Sequence, residues 1–416
     1  MHPPAAGRRT PLLLLLTSAA IVLAGCSGGK VATMHLPAAA GASGGQSSGA
    51  APEISVEPSD GSTDVALNAV VTVEATGGAL DSVVVHPNSD PSAIAGTLAT
   101  DQQSWKSTAA LDPGVSYVVD ASAHTPSGDA TTIRASFTTT KVRTRLTTAA
   151  TPSDGDVVGV GMPIRMRFNN PISPDRQTKL VQQVQVTSTP PVNGAWHWFS
   201  PYEVHWRPQD PWPVNTKVTV DAHLRGFDAG DGVWGLGDWT SNFSISPDKH
   251  VSILDNSTHQ MQVFNNDQLL YTWPISMGRP SLPTLEGTLV VLYRQQDVLM
   301  DSRTIGIPRD SPDGYYEHVF WNTAISSDGF FIHSAPWSIW AQGSRNVSHG
   351  CVNLSPDRAT TFFNWSHVGD IVQVKNTGRT ADAGDGEGDW QIPFEQYANS
   401  GGASTPTPTP RQAGGL

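Results

Sequence analysis

The sequence predicts a mainly β protein built from two immunoglobulin-like β-sandwiches followed by a third, β-rich domain with one short helix. Three observations carry this. Turn formers abound, with 39 Gly and 32 Pro in 416 residues, and hydrophobic residues make up 38% of the chain, a balance that favours strands and turns over helices. The chain also repeats itself: Pro58-Ser59-Asp60-Gly61 returns as Pro152-Ser153-Asp154-Gly155, Trp105 as Trp206, "VVDASA" (118–123) as "TVDAHL" (219–224) and Phe137 as Phe243. The repeat then stops at about residue 248. The formal net charge of −12 makes a nucleic acid an unlikely partner by charge.

The first 25 residues read as an export signal. Arg8 and Arg9 precede a short apolar run, Pro11 to Leu23, which is below the roughly 20 residues of a spanning helix. Leu23-Ala24-Gly25-Cys26 resembles the lipobox of bacterial lipoproteins, which implies a lipid on Cys26. Residues 26–52, mostly Gly, Ala and Ser, form a flexible linker.

The repeat units take residues 53–142 and 143–247. Each shows alternating runs such as "AVVTVEAT" (69–76) and "PIRMRFNN" (163–170), broken by Pro, Gly, Asp and Asn. Period-two alternation in units of about 100 residues is the pattern of a sandwich. Neither unit holds a Cys pair, so this rests on pattern alone. In the second, "FDAGDGVWGLGDW" (227–239) places Asp228, Asp231 and Gly232 together. Such carboxylate spacing permits a calcium ion, and an ordinary Gly-Asp turn is the plainer alternative.

Residues 248–378 form the third domain. Strand-like runs such as "HVSILDN", "QMQVFNN" and "TLVVLYR" open it, and Asn265-Asn266 suggests a tight hairpin turn. The polar, Gly- and Pro-broken stretch 294–329 suggests a lid or an extended hairpin. "SPDRATTFFNWSHV" (355–368) predicts a helix, with Ser355 at its cap and Pro356 at its first position, and "GDIVQVKN" (369–376) a last strand. The tail 379–416 ends in "STPTPTP" and predicts partial disorder, while Trp390 and "IPFEQY" offer apolar groups to pack back on the domain.

The chemistry gathers around "RNVSHGCVNLS" (345–355). With Cys26 lipidated, Cys351 is the one remaining thiol. A free thiol has a pKa near 8.5, so only a few per cent is thiolate at neutral pH. Three aids are visible. The predicted helix start lies just beyond it, His349 and His333 can act as base or ion-pair partner, and Gly350 lets backbone amides approach an oxyanion.

"HSAPW" (333–337) followed by "SHGCVN" (348–353) closely resembles the signature of bacterial L,D-transpeptidases with a YkuD-type catalytic domain. The order of parts is similar to that of mycobacterial-type members, and the resemblance covers nearly all of residues 50–395. It implies that Cys351 is the nucleophile, that His333 handles the proton, and that the Ser334 carbonyl orients the imidazole. It implies that His349, Gly350 and Asn353 shape the site, with Tyr315 near the oxyanion. Met300 and Trp337 would line the substrate groove beside Asp328 and Gly329. Some members carry Tyr where Ile305 stands here.

The implied reaction is acyl transfer. A tetrapeptide donor stem of peptidoglycan loses D-Ala to form a thioester, and the diaminopimelate amine of an acceptor stem then closes a 3→3 cross-link. Carbapenems are the expected inhibitors, and no cofactor is implied. The implied place is the cell envelope, on the outer face of the plasma membrane and facing the peptidoglycan. Two other readings stay open on the residues alone. A zinc peptidase would use His333, His349 and Cys351 as ligands. A non-catalytic wall-binding lipoprotein would not need the thiol.

Overall fold

The computed structural model describes residues 50–399 and 405–406. The signal, Cys26 and the first 24 residues of the linker lie outside the described residues, as does most of the tail beyond 399.

The repeat folds as two separate sandwiches. In the first, the sheet of Glu53–Glu57, Thr72–Thr76, Ser104–Ser107 and Gly96–Leu98 faces that of Ser62–Val65, Ala130–Thr139, Ser116–His124 and Ala79–Pro87. Val73, Trp105, Tyr117 and Phe137 fill the space between them. In the second, the strands Thr148–Thr151, Ile164–Phe168, Glu203–Pro208 and Asn193–Ser200 make one sheet, and Val157–Val158, Trp239–Ile245, Lys217–Ala222 and Val184–Thr189 make the other. Trp206, Trp212 and Phe243 lie in its core.

The recurring residues do the same work in both copies. The carboxylate of Asp60 accepts from the Ser136 amide at 2.7 Å, and that of Asp154 accepts from the Asn242 amide at 2.8 Å. Each Pro-Ser-Asp-Gly turn is thereby pinned to the strand that closes its sandwich. The two tryptophans share a device as well. A Cβ built on Gly96 would fall 1.9 Å from the Trp105 ring, and one on Gly194 would fall 2.1 Å from the Trp206 ring. Each indole lies flat over a strand neighbour with no side chain, and any larger residue there would displace it. The helix Pro174–Gln182 is the main insertion of the second copy.

The calcium expectation is not what the 227–239 stretch is built for. An arginine already occupies the carboxylate: Asp228 is paired with Arg176 at 2.8 Å, and its other oxygen accepts from Gly230 N–H at 2.9 Å. Asp231 offers its carbonyl to Arg143 at 2.8 Å, and Asp238 caps the Arg225 amide at 2.8 Å. The carboxylates of Asp228 and Asp238 serve separate turns, and Asp231 is engaged through its backbone carbonyl.

The third domain places a sheet of Gln268–Pro274, Gln260–Asn265, His250–Asp255, Ile371–Lys375 and Gly287–Val290 beside a second sheet of Tyr293–Asp301, Tyr316–Ala324, Phe331–Ser334 and Val352–Leu354. Leu254, Val263, Ile332, Leu354, Phe362 and Val374 form its core. The first hairpin turn is centred on Asn266 and Asp267, one residue later than the sequence suggested. Both have positive φ, 50° and 66°, as a two-residue hairpin turn of this hand requires. The 294–329 stretch is an extended hairpin, Tyr293–Asp301 against Tyr316–Ala324. Arg303 and Arg309 both grip Asp301 at 2.7 Å and brace its tip.

The tail up to residue 399 is ordered and bridges two domains. Trp390 Nε1 donates to the Gly161 carbonyl at 2.7 Å, and Gln391 donates to Thr288 at 2.6 Å. Asp389 is fully buried, receives Tyr397 Oη at 2.5 Å and faces His205 Nδ1 at 3.0 Å. Burial alone would push His205 down, but Asp389, Glu203 and Glu387 outweigh it and hold the imidazole up at about 10.

This charge network makes the tail a structural strap. Asp389→Asn leaves the His205 charge with less compensation and should cost about 3–5 kcal/mol. Because the folded pKa of His205 is raised, its contribution is whole below pH about 6.5 and fades as pH climbs through about 10. Urea melts of wild type and Asp389→Asn should therefore converge toward pH 10. A gap independent of pH would refute the assignment.

Candidate active site

The segment 348–354 is held from both sides before any reacting group is considered. Val352–Leu354 pairs in parallel with Phe331–Ser334, setting His333 opposite Asn353. On its other flank, Asn353 N–H donates to the Ser276 carbonyl at 2.8 Å, and Ser348 N–H donates to Met277 at 3.1 Å. The turn between is tied by Ser348, whose hydroxyl donates to the Cys351 carbonyl at 2.6 Å and accepts from Gly350 N–H at 3.1 Å. Thr284 donates to the Gly350 carbonyl at 2.7 Å. Gly350 has φ +131°, and a Cβ there would come 2.6 Å from the Phe330 ring. No side chain fits, so the backbone can turn sharply just before the sulfur.

His333 is buried, at 4% exposure. Its Nδ1 lies 2.9 Å from the Ser334 carbonyl. A carbonyl only accepts, so Nδ1 carries the hydrogen and Nε2 is left with a free lone pair. Burial pushes this imidazole down to about 4 and the Cys351 thiol up to about 11. The backbone amide of Phe331 is the group that favours the thiolate. At neutral pH the site holds a neutral thiol and a neutral base, not an ion pair. The thiol donates to the Gly329 carbonyl at 3.6 Å, so its proton must swing toward His333 for transfer. The helix dipole inferred from sequence is displaced: a strand stands between Cys351 and the helix Pro356–Trp365.

Two cavities meet at the sulfur. The smaller, about 230 Å³, is lined by His333, Trp337, Asn353, Met300, Tyr315 and Cys351. The larger, about 750 Å³, takes in Asp328, Gly329, Ile305, Met300, Tyr315 and Cys351. His349 borders both, its ring 5.0 Å from that of Tyr315. Burial pushes the Tyr315 hydroxyl up to about 12, so it stays a hydrogen-bond donor. Its neighbour Tyr316 is exposed, with Arg309 stacked 3.4 Å over its ring.

A model described as the L,D-transpeptidase catalytic domain matches residues 249–374, and one described as a bacterial Ig domain matches residues 62–228. The chain is 38% identical to L,D-transpeptidase 2 of Mycobacterium tuberculosis over 348 residues, which is 83% of this chain and 84% of that protein. This chain belongs to the L,D-transpeptidases.

As an L,D-transpeptidase it is an enzyme of peptidoglycan cross-linking. It is also 30% identical to L,D-transpeptidase 5 of the same species, over 86% of this chain and 79% of that one. A solved structure of L,D-transpeptidase LdtMt1 in complex with imipenem is 34% identical, with TM-score 0.48, covering 55% of this chain and 97% of that one. The structure brings every site residue named from sequence, Cys26 and the calcium candidates aside, to the two cavities or to the strands behind them. Several supports were missed by sequence reasoning. Thr284 and Ser276 lie far from the motif in the chain and carry no local signal, and Ser338, whose hydroxyl accepts from Asn353 at 3.0 Å, stands one residue beyond "HSAPW" with nothing to mark that role. Ser348 was legible only as a motif letter.

The neutral pairing in this L,D-transpeptidase fixes how the thiol responds to pH. Alkylation of Cys351 by iodoacetamide should climb about tenfold per pH unit from 6 to 10, following the thiolate fraction. A plateau above pH 7 would mean a preformed thiolate–imidazolium pair.

Proposed function

We propose that the enzyme forms 3→3 cross-links, with Cys351 as nucleophile and His333 as its base. The observation that carries this is the His333 imidazole, locked through Nδ1 and open at Nε2, in the same cavity as the one thiol among the described residues. The sulfur attacks the carbonyl of the third residue of a tetrapeptide stem while Nε2 takes the thiol proton. Collapse breaks the L-to-D amide, and the imidazolium returns that proton to the departing D-Ala amine. The acceptor stem's amine then attacks the thioester, again losing a proton to Nε2, and the thiol is restored. The tetrahedral oxyanion is met by Tyr315, which keeps its proton, and by the backbone amides near Cys351.

Leaving and entering amines use the same base, so both pass through the smaller cavity, where His333 stands. The larger cavity then holds the donor stem. A carbapenem presents a strained amide to the same sulfur and acylates it. The lipobox-like Leu23-Ala24-Gly25-Cys26 supports a lipid on Cys26. The chain would then be anchored on the outer face of the plasma membrane, its sandwiches carrying the site outward to the wall.

The test uses the full chain in a bacterial host, with membrane and soluble fractions assayed on a disaccharide-tetrapeptide in EDTA. The membrane fraction should yield a stem dimer lacking one D-Ala, and Cys351→Ala should yield none. Cys26→Ala should move the same activity to the soluble fraction. Product from Cys351→Ala would overturn the thiol mechanism, and unchanged fractionation would overturn the anchor.

A further inference from the structure

Away from the active site, a second group of potential metal ligands sits where the catalytic domain meets the second sandwich. His250 opens the strand His250–Asp255, and His367 and Asp370 belong to the turn before Ile371–Lys375. Their ligand atoms all lie within 4.8 Å of one another. Asp370 Oδ2 is 3.0 Å from His250 Nδ1 and 3.9 Å from His367 Nδ1. Zinc bonds of about 2.0–2.1 Å in a tetrahedron put neighbouring donors about 3.3–3.4 Å apart, between those two distances.

The charge balance sharpens this. Asp370 is 2% exposed, and among the described residues its only ion-pair partners are these two histidines. Its Oδ2, which faces the histidines, also accepts from the His367 backbone N–H at 2.6 Å, while its Oδ1 is buried with no hydrogen-bond partner. A buried carboxylate needs a compensating cation. The other buried cluster, His205 with Glu387 and Asp389, differs. There Arg165 reaches Glu387 at 2.9 Å, and both ring nitrogens of His205 already face carboxylates. At the first cluster no Lys or Arg plays that part.

Access and rigidity are both present. The His367 side chain is 46% exposed, giving an ion a way in and leaving a position open to water. His250 is fixed by stacking on Trp365 at 3.8 Å. The turn itself is clamped to the second sandwich, with Gly159 N–H donating to the Val368 carbonyl at 2.7 Å and Gly161 N–H to Gly369 at 2.8 Å.

We propose that His250, His367 and Asp370 bind one divalent zinc ion that braces the catalytic-domain turn on which the second sandwich rests. Two imidazoles and a carboxylate suit zinc, and the ion supplies the charge that Asp370 lacks. The site is separate from the reacting thiol, so its role is structural.

The probe is Zn²⁺ itself, titrated by calorimetry into the metal-stripped full chain carrying Cys351→Ser, which removes the active-site thiol as a ligand. One zinc should bind per chain. His367→Ala, an exposed change that leaves the fold intact, should weaken it roughly tenfold or more, the scale at which even outer-shell changes weaken metal sites. Co²⁺ should quench the fluorescence of Trp365, with the quenching lost in Trp365→Phe. Absence of zinc binding, or equal binding by His367→Ala, would overturn the proposal.

Discussion

The short parallel ladder between Phe331–Ser334 and Val352–Leu354 is the constraint on which the catalytic centre depends. It lets two stretches 18 residues apart present the His333 imidazole and the Cys351 thiol to one cavity. Parallel neighbours need a long connection, and the intervening loop is used productively: Trp337 lines the substrate cavity, and Ser338 receives the Asn353 amide. With Asn353 locked on both flanks and Gly350 filled by Phe330, the sulfur has little freedom beyond its own rotation.

Burial then decides the protonation states. Burial disfavours the imidazolium and the thiolate alike, so the resting pair is neutral. A neutral thiol is a poor target for stray electrophiles. In the proposed mechanism it becomes a nucleophile only as His333 takes its proton during attack. The braced hairpin tip, with Asp301 between Arg303 and Arg309, holds Asp301, Thr304 and Ile305 in the wall of the larger cavity.

Much of this was legible in the sequence, for physical reasons that differ by region. The sandwiches showed because Asp60 and Asp154, and Trp105 and Trp206, perform local tasks that demand the same residue twice. The site showed because a thiol, a glycine and two histidines within twenty residues are chemically costly to combine by accident. What stayed hidden was long-range. Thr284 holds Gly350 across 66 positions, and Asp389 meets His205 across 184. The helix after Cys351 was read correctly as a helix, but a three-residue strand separates it from the sulfur. The Asp228 turn looked like a cation loop because Arg176, its partner, lies 52 residues earlier.

The central claim is that His333 rests as a neutral base with its proton on Nδ1. Nitrogen-15 NMR of histidine-labelled enzyme at pH 7, with His333 assigned through His333→Gln, measures this directly. The account predicts one protonated nitrogen, hydrogen-bonded, and one bare nitrogen in the free enzyme. Two protonated nitrogens on His333 would contradict it and restore an ion pair with Cys351.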